Sequence, residues 1–315
     1  MSRTRLELWS ALAIVYVVWG STYLGIKIAV RTLPPFLTAG TRFLAAATIL
    51  AAVLALLRRS LRVPRREALA AAGLGVVLLG CGVGMVHFAE TRIDSGVAAM
   101  IAGSVPLQIV LWRVLAGERV PRPTMLAAAV GLAGLAPVVG PDGVSGGSVA
   151  IGLLVMLGAS LSWSRGSFVA RRLALPPDPF VATVYEMLGG GLVLVTAGLV
   201  AGEAGRVDAD ALQPGPVAAW AYLAIVGSVV GFSAYAWLLR NAPISQVVTH
   251  QYVNPLVAVA LGALLLGERP APTTLAGAAL IVGAVVVTAR HEGGGAAREE
   301  ADVSSGVAED ERRAA

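Results

Sequence analysis

Cysteine, histidine and charged residues are all scarce in this chain of 315 residues. A single cysteine, Cys81, cannot form an internal disulfide, and with only three histidines the chain offers no ligand set for a metal. Charged residues make up 14% and hydrophobic residues 57%, against about a quarter and about a half in soluble domains. This composition excludes a soluble globular protein, and we expect no metal and no other cofactor.

Long apolar segments fill most of the chain. A membrane span needs roughly 20 apolar residues, and charge, proline or glycine bounds ten such segments. The first resembles a signal peptide but lacks a small-residue cleavage site, so we expect it to be the first span. The segments lie near residues 8–30, 36–57, 68–89, 95–116, 124–140, 149–172, 180–201, 217–239, 245–266 and 273–289.

Lysine and arginine are distributed unevenly between alternate loops. Thirteen fall on one side of the predicted spans and five on the other. Because basic loops stay in the cytoplasm, both termini are predicted to be cytoplasmic in a multi-pass protein of the cytoplasmic (inner) membrane. These arginines flank apolar runs rather than forming a basic stripe, so no nucleic acid is expected as a partner. The lipid bilayer is the partner that the composition predicts.

Several motifs recur at a nearly constant offset. Trp19 and Trp163 are 144 residues apart, and Gly117-Glu118-Arg119 recurs 150 residues later as Gly267-Glu268-Arg269. Each half holds five predicted spans, and this odd number inverts the second half relative to the first. The prediction is an all-α protein with ten transmembrane helices in a 5+5 inverted repeat. Residues 1–145 and 146–290 form the repeats, and 291–315, rich in Gly, Ala and charge, form a disordered cytoplasmic tail.

The motifs at the ends and kinks of these segments resemble the EamA-type members of the drug/metabolite transporter (DMT) superfamily. The resemblance extends over nearly the whole membrane domain. It is carried by Trp19-Gly20-Ser21-Thr22-Tyr23, Pro34-Pro35-Phe36 with Arg42, Ser104-Val105-Pro106 before the first Gly-Glu-Arg, and Val253-Asn254-Pro255 before the second. It implies ten helices, a 5+5 inverted repeat and alternating access. Within the superfamily, the chain looks most like inner-membrane exporters of amino acids and drugs.

Charge inside a membrane span is costly and usually functional. Four such residues could meet in pairs: Arg42, Arg165 and Glu186 inside predicted spans, and Glu90 at the outer end of one. From helical rise, Arg42 and Glu90 lie at similar depths near the outer face, and Arg165 and Glu186 lie at similar depths near the inner face. We therefore expect two ion pairs, Arg42–Glu90 and Arg165–Glu186, that open and close in turn as gates. The alternative is that the same pairs only hold helices together.

Polar residues concentrate around two prolines of the fourth and ninth spans. Pro106 and Pro255 each leave a backbone carbonyl without its helical donor, and we expect them to kink their helices and mark the substrate site. Trp19, Tyr23 and Trp163 could offer ring faces to an aromatic or cationic ligand. The polar substrate-binding candidates are Ser104, Gln108, His250, Gln251, Tyr252 and Asn254.

These residues predict a secondary transporter, not an enzyme, that exports a small-molecule substrate such as an amino acid, a related compound or a drug. Protons are the expected coupling ion if transport is active, because Glu90, Glu186, His87 and His250 can titrate. The glycine run Gly189-Gly190-Gly191 predicts close helix packing, and the Gly-Glu-Arg turns are expected to cap helices. Substrate identity, transport direction and oligomeric state stay open, a homodimer being one alternative.

An intramembrane serine hydrolase is the rival interpretation. Ser233 and His250 lie on successive spans at similar depth, as a nucleophile and its base would. The sequence identifies no orienting or oxyanion partner for them, so the transporter is the preferred prediction.

Overall fold

The computed structural model describes residues 3–136, 147–241, 247, 250–273 and 275–288, and these residues contain helices and no strand. The helices of the first half are α1 (Arg3–Ala29), α2 (Pro35–Leu56), α3 (Arg65–Glu90), α4 (Ser95–Leu115) and α5 (Arg122–Ala133). Those of the second half are α6 (Gly147–Ala170), α7 (Pro179–Val200), α8 (Pro214–Tyr222, Leu223–Val230 and Gly231–Asn241 in succession), α9 (His250–Leu261, then Gly262–Leu266) and α10 (Leu275–Thr288).

Most of these helices suit a bilayer in length and composition. Within the described ranges, seven are long and apolar enough to cross a membrane, and Val253–Leu266 and Leu275–Thr288 are shorter apolar helices. Large aliphatic side chains cover their outer faces; Leu126 and Leu154, for example, are about two-thirds exposed. Such faces are stable against lipid rather than water. The prediction of an all-α, polytopic membrane protein is therefore confirmed.

The helix ends agree with the apolar segments to within a few residues at most positions. The fifth segment, predicted over 124–140, begins at Arg122, and its described helix ends at Ala133. Pro137, which falls in the same segment, lies outside the described residues.

The two halves are interleaved rather than packed as separate bodies. Helix α1 lies against α8 and α9, α2 against α7 and α8, α3 against α6 and α7, and α4 against α6 and α9. Every one of these contacts joins a helix of the first half to helices of the second. A space at the centre of the bundle is consequently walled by both halves.

Four helices depart from regular α geometry. Wider π-helical turns occupy Val76–Gly84 in α3, Leu223–Val230 in α8 and Gly262–Leu266 in α9, and such segments often occur at functional sites. Helix α4 is interrupted after Ala102 and resumes at Val105, which places Pro106 in the first turn of its second part. Pro255 instead lies inside a helix that runs unbroken from His250 to Leu261.

Glycines allow α7 to approach α2 and α3 closely. A Cβ on Gly40 of α2 would come within 2.7 Å of the Val195 backbone nitrogen, and one on Gly190 within 2.7 Å of the Gly75 carbonyl oxygen. A Cβ on Gly189 would overlap the backbone of Ala72. The run Gly189-Gly190-Gly191 therefore has the packing role predicted for it.

Carboxylates from distant loops cap the first turns of two helices. Glu203, in the 3₁₀ turn Glu203–Arg206, accepts bonds from the backbone N–H groups of Phe36 and Leu37 at 3.3 and 2.8 Å. Glu268 accepts from the N–H groups of Ser95 and Gly96 at 2.9 and 3.1 Å. A carboxylate at a helix N-terminus satisfies free donors and complements the helix dipole. The predicted capping role of the second Gly-Glu-Arg turn is confirmed.

Replacing Glu268 by glutamine tests this cap. The amide has one oxygen where the carboxylate uses two, so Glu268→Gln is expected to lower the free energy of unfolding by about 1 kcal/mol. Thermal melting of the protein in detergent measures the change. Arg269→Gln is the control, because the neighbouring side chain is exposed; an equal loss in both variants would contradict the cap.

The first Gly-Glu-Arg turn makes different contacts. Glu118 accepts from Arg113 Nε at 2.9 Å and from Arg172 Nη2 at 2.7 Å, which joins the end of α4 to the end of α6. These hydrogen bonds, the one from Arg113 foremost, lower the pKa of the Glu118 carboxyl. The link between α4 and α6 is thus formed at neutral pH and weakens as pH falls through that lowered pKa.

Candidate functional site

A cavity of about 120 Å³ lies at the centre of the bundle. Helices α1, α2, α3 and α4 of the first half and α6, α8 and α9 of the second contribute to its wall. Six of the predicted substrate-binding residues line it: Trp19, Tyr23, Trp163, His250, Gln251 and Asn254. Arg42, predicted as a gate residue, lines it as well.

Trp19 is the centre of an aromatic cluster on one side of the cavity. Its ring contacts Tyr235 at a centroid distance of 4.9 Å, Phe232 at 5.2 Å and His250 at 5.3 Å. The Phe232 and His250 contacts are edge-to-face, an arrangement that aromatic rings favour. The cluster joins α1 to α8 and α9, so Trp19 is held by the second half of the chain.

The opposite wall comes from one face of α6. Four side chains of this helix line the cavity and have the spacing of a single helical face: Met156, Ala159, Ser160 and Trp163. Trp163 packs beside Gly82 of α3, where a Cβ would come within 3.3 Å of the indole ring. Small residues on α3 therefore allow the indole to lie between α3 and the cavity.

Ser104 and Gln108 lie behind this wall rather than on the cavity surface. The Gln108 amide donates to Ser104 Oγ at 2.8 Å and to Ser160 Oγ at 2.9 Å. One turn further along α4, Trp112 Nε1 donates to Ser164 Oγ at 2.9 Å. These bonds fix α4 against α6, and Gln108 orients Ser160, which lines the cavity. Sequence reasoning missed Ser160, although its spacing from Trp163 places both on one helical face.

Each of the two prolines leaves one backbone carbonyl without its helical hydrogen bond, and both carbonyls belong to residues that line the cavity. Because proline has no N–H, Pro106 cannot donate to the carbonyl of Ala102, and Pro255 cannot donate to that of Gln251. Ala102 and Gln251 both line the cavity. Each half of the chain therefore has a cavity-lining residue whose backbone carbonyl lacks its usual helical donor.

Asn254 connects α9 to α1. Oriented so that its amide nitrogen donates, it bonds the carbonyls of His250 at 3.1 Å and Tyr16 at 3.2 Å. His250 Nδ1 lies 2.7 Å from the Val247 carbonyl and must carry the proton of that bond, since a carbonyl only accepts. The Tyr252 side chain lies outside the described residues.

Arg42 is buried, with 3% of its surface exposed, and it is the one Lys, Arg, Asp or Glu side chain among the described residues that line the cavity. Its Nη1 lies 3.5 Å from His87 Nε2, and its Nε has no hydrogen-bond partner. His87 Nδ1 donates to the Val83 carbonyl at 2.9 Å, so His87 Nε2 faces the guanidinium as an acceptor. This single long contact leaves the guanidinium incompletely satisfied.

The predicted Arg42–Glu90 ion pair is not formed in the structure. Glu90 is fully buried and neither of its carboxylate oxygens has a hydrogen-bond partner. Lys27, which could neutralise it, instead donates to the backbone carbonyls of Glu90 and Ile93 at 2.9 and 2.7 Å. Arg42 is directed to His87 and the cavity, and Lys27 to the end of α3, so neither cation reaches the Glu90 carboxylate.

The predicted Arg165–Glu186 pair is likewise absent. Arg165 is exposed and its guanidinium lies over the rings of Trp112 and Phe168, at 5.3 and 5.6 Å. Residues two apart on a helix point in nearly opposite directions. Since Trp163 faces the cavity, Arg165 faces outward, away from Glu186 on α7. Helical rise predicted the depth of both residues and not their direction around the helix.

Charged groups at the ends of α1 and α3 surround the cap of α4. Lys27 Nζ lies 4.0 Å from Asp94 Oδ1, beside the Glu268 carboxylate that caps Ser95. Partial burial raises the pKa of Asp94, and the nearby negative charge of Glu268 raises it further. This ring of charges ties α1, α3, α4 and the α9–α10 turn together at one face of the bundle.

Ser233 and His250 do not form a nucleophile–base pair. The Nδ1 of His250 bonds the Val247 carbonyl, and its ring packs against Trp19 and Tyr235. Ser233 is not among the residues of the cavity wall, whereas its neighbour Phe232 is. The one hydrogen bond of the His250 side chain among the described residues goes to the Val247 carbonyl, and none reaches Ser233, as a serine nucleophile and its base would require.

A model of the EamA-like transporter family matches the chain twice, over residues 8–140 and 150–290. The protein named "Uncharacterized inner membrane transporter YedA" of Escherichia coli (strain K12) is 39% identical over 84% of this chain and 85% of its own length. A second Escherichia coli (strain K12) protein, "Probable amino-acid metabolite efflux pump", is 27% identical over 85% of this chain and 90% of its own.

A solved crystal structure resembles this fold over almost its entire length. The two superpose with a TM-score of 0.59 at 20% sequence identity, covering 91% of this chain and 97% of the other. At that identity, the likeness concerns the fold alone.

Proposed function

Because this chain belongs to the EamA-like transporter family and is a membrane transporter, we propose that it exports small metabolites across the inner membrane by alternating access. The observation that carries the proposal is the central cavity, whose wall is built from helices of both halves. If the halves move relative to each other, such a cavity opens first to one face and then to the other. Aromatic and amide side chains on its wall suit a small organic substrate.

We further propose that ten helices form a 5+5 inverted repeat with both termini in the cytoplasm. Separate matches of the family model to residues 8–140 and 150–290 support two repeats. The arginine-rich loops on one side support the cytoplasmic termini. An odd number of spans per repeat then makes the two halves antiparallel.

Amino acids and related compounds, with some drugs, are the proposed substrates. The name of the amino-acid metabolite efflux pump supports this class and the outward direction, and the YedA name supports the inner membrane.

A direct test combines export in cells with flux in vesicles. Cells that overproduce the protein are challenged with toxic amino acids, their analogues and cationic drugs, and tolerance is compared with that of an empty-vector strain. Compounds that shift tolerance are then measured as labelled substrates in proteoliposomes. If no compound shifts tolerance and the proteoliposomes take up none, the exporter proposal fails.

Proton coupling is proposed to involve Glu90. An ionised carboxylate without a donor is costly in the membrane interior, so Glu90 is proposed to hold a proton in this conformation and release it in another. The charged groups close enough to influence it are Lys27, Arg42, Asp94 and Glu268.

Glu90→Gln keeps the shape of the side chain and removes the proton it can release. The variant is expected to lose flux driven by an imposed pH gradient and to keep exchange of substrate for substrate, both measured in proteoliposomes. Asp210→Asn is the control, since that carboxylate is exposed in the loop between α7 and α8. Equal gradient-driven flux in Glu90→Gln and the unsubstituted protein would exclude Glu90 as the proton site.

A further inference from the structure

The central cavity contains an unusual distribution of charge. No aspartate or glutamate is among the described residues that line it, and Arg42 is the one guanidinium or ammonium there. His250 also lines the cavity, but its Nδ1 donates to the Val247 carbonyl and its ring packs against Trp19 and Tyr235. The cavity therefore combines one buried positive charge with apolar and aromatic walls.

The Arg42 guanidinium lacks the partners that a buried arginine normally has. Its Nε has no hydrogen-bond partner, and its contact with His87 Nε2 is long, at 3.5 Å. No carboxylate among the described residues lies within salt-bridge distance, and the Glu90 oxygens are themselves without partners. Its guanidinium carbon lies 4.5 Å from the ring centroid of the adjacent Phe43. A buried guanidinium in this state needs an anion that the protein does not supply.

We propose that Arg42 is the anchor for a carboxylate on the transported molecule. The proposal rests on the transport function proposed above and assigns its substrate class: a monocarboxylate with an apolar or aromatic body. A guanidinium binds a carboxylate through two parallel hydrogen bonds, and Arg42, which lines the cavity, can supply them. Trp19, Trp163 and Phe232 are the walls for the apolar body.

The same arrangement discriminates against other charge types. A phosphate carries nearly two negative charges at neutral pH, and a single arginine compensates only one of them. A cation without an anionic group is repelled by the Arg42 charge and, unlike an amino acid, brings no carboxylate to pair with it. Cationic drugs, which the aromatic residues alone would favour, are therefore poor substrates.

Matched probes test the carboxylate directly. L-leucine and L-phenylalanine are each compared with the corresponding carboxamide and with the decarboxylated amine, using the full chain in detergent. Binding is measured as the ligand-induced rise in melting temperature over a concentration series. The expected result is that the two amino acids bind and that their amides and amines bind at least about tenfold more weakly, since a charge-assisted pair is lost.

Arginine variants assign the effect to one residue. Arg42→Gln is expected to weaken amino-acid binding by about 10- to 100-fold, to the level of the amides. Arg42→Lys keeps the positive charge but cannot form two parallel hydrogen bonds with a carboxylate, so it is expected to bind the amino acids with intermediate affinity. Arg92→Gln, in the loop after α3 and outside the cavity wall, is the control and keeps the unsubstituted affinity. Size-exclusion profiles and ligand-free melting temperatures establish that each variant is folded.

The outcomes separate this inference from the transport proposal. Equal binding of acids and amides, unchanged acid binding in Arg42→Gln, or no binding by any probe overturns the carboxylate anchor. Flux of cationic compounds that does not depend on Arg42 overturns it too, while leaving the protein a transporter. Carboxylate binding that Arg42→Gln abolishes, without flux of any probe, supports the anchor and contradicts transport.

Discussion

Gly75→Ala is expected to lower the free energy of unfolding by about 3 kcal/mol or more, because the new methyl group would overlap the backbone carbonyl of Glu186. A clash with a flexible side chain can be relieved by a rotamer change. A clash with backbone requires α3 and α7 to separate, and the contacts around Gly75, Gly189 and Gly190 loosen together. Thermal and denaturant unfolding in detergent measure the loss.

Gly73→Ala is the matched control for this substitution. Gly73 lies two residues away on the same helix and is exposed, and a Cβ added there would meet no other atom within 4 Å. Since alanine favours helix over glycine, Gly73→Ala is expected to be neutral or stabilising by up to about 1 kcal/mol. If the two variants melt at the same temperature, close contact of α3 with α7 at Gly75 is contradicted.

The helices themselves could be predicted from the sequence with good accuracy. Lipid requires continuous apolar runs, so the segment around residues 36–57 could be located by composition and corresponds to Pro35–Leu56. The largest difference is in the fifth segment, where the described helix ends at Ala133, before the predicted end at residue 140. The π-helical turn of Val76–Gly84 had no sequence signal, because it depends on how α3 packs against α6 and α7.

The cavity could be predicted in part. Tryptophans and amides inside apolar runs are costly unless they face protein or water, and this reasoning identified Trp19, Trp163 and Asn254, which all line the cavity. It missed Phe232 and Ser160, because a phenylalanine or a serine is unremarkable in a membrane helix. Ser160 shares the helical face of Trp163, whereas only the contact between helices distinguishes Phe232 from its neighbours.

Neither predicted gate pair is formed in this structure, for a physical reason. Sequence position and helical rise determine how deep a residue lies, whereas pairing also depends on the direction in which its side chain points. Arg165 matches Glu186 in depth but lies over Trp112, on the outward side of α6. Arg42 faces His87, and the Glu90 carboxylate has no hydrogen-bond partner. Without the rotation of each helix about its own axis, depth alone could not identify partners.

Trp19→Ala is expected to have the largest effect on transport after loss of the Arg42 charge. The change removes ring contacts to Phe232, Tyr235 and His250 and opens the wall between α1, α8 and α9. Each aromatic pair within the protein contributes about 0.5–1.5 kcal/mol beyond its buried area, so stability is expected to fall by about 3 kcal/mol. Because the indole also forms part of the cavity wall, substrate affinity is expected to fall at least about tenfold. Flux against substrate concentration in proteoliposomes, together with melting temperature, separates the two effects.

Two further variants decide whether this effect arises at the cavity. Trp19→Phe retains an aromatic ring and is expected to recover most of the stability, while its smaller surface leaves substrate affinity a few-fold lower. Trp9→Ala lies on the same helix, but its side chain is 54% exposed, so flux and affinity are expected to stay unchanged. If Trp9→Ala reduced affinity as much as Trp19→Ala, the loss would reflect anchoring of α1 in the membrane rather than the wall of a binding cavity. Full affinity in a folded Trp19→Ala protein would exclude Trp19 from the substrate site altogether.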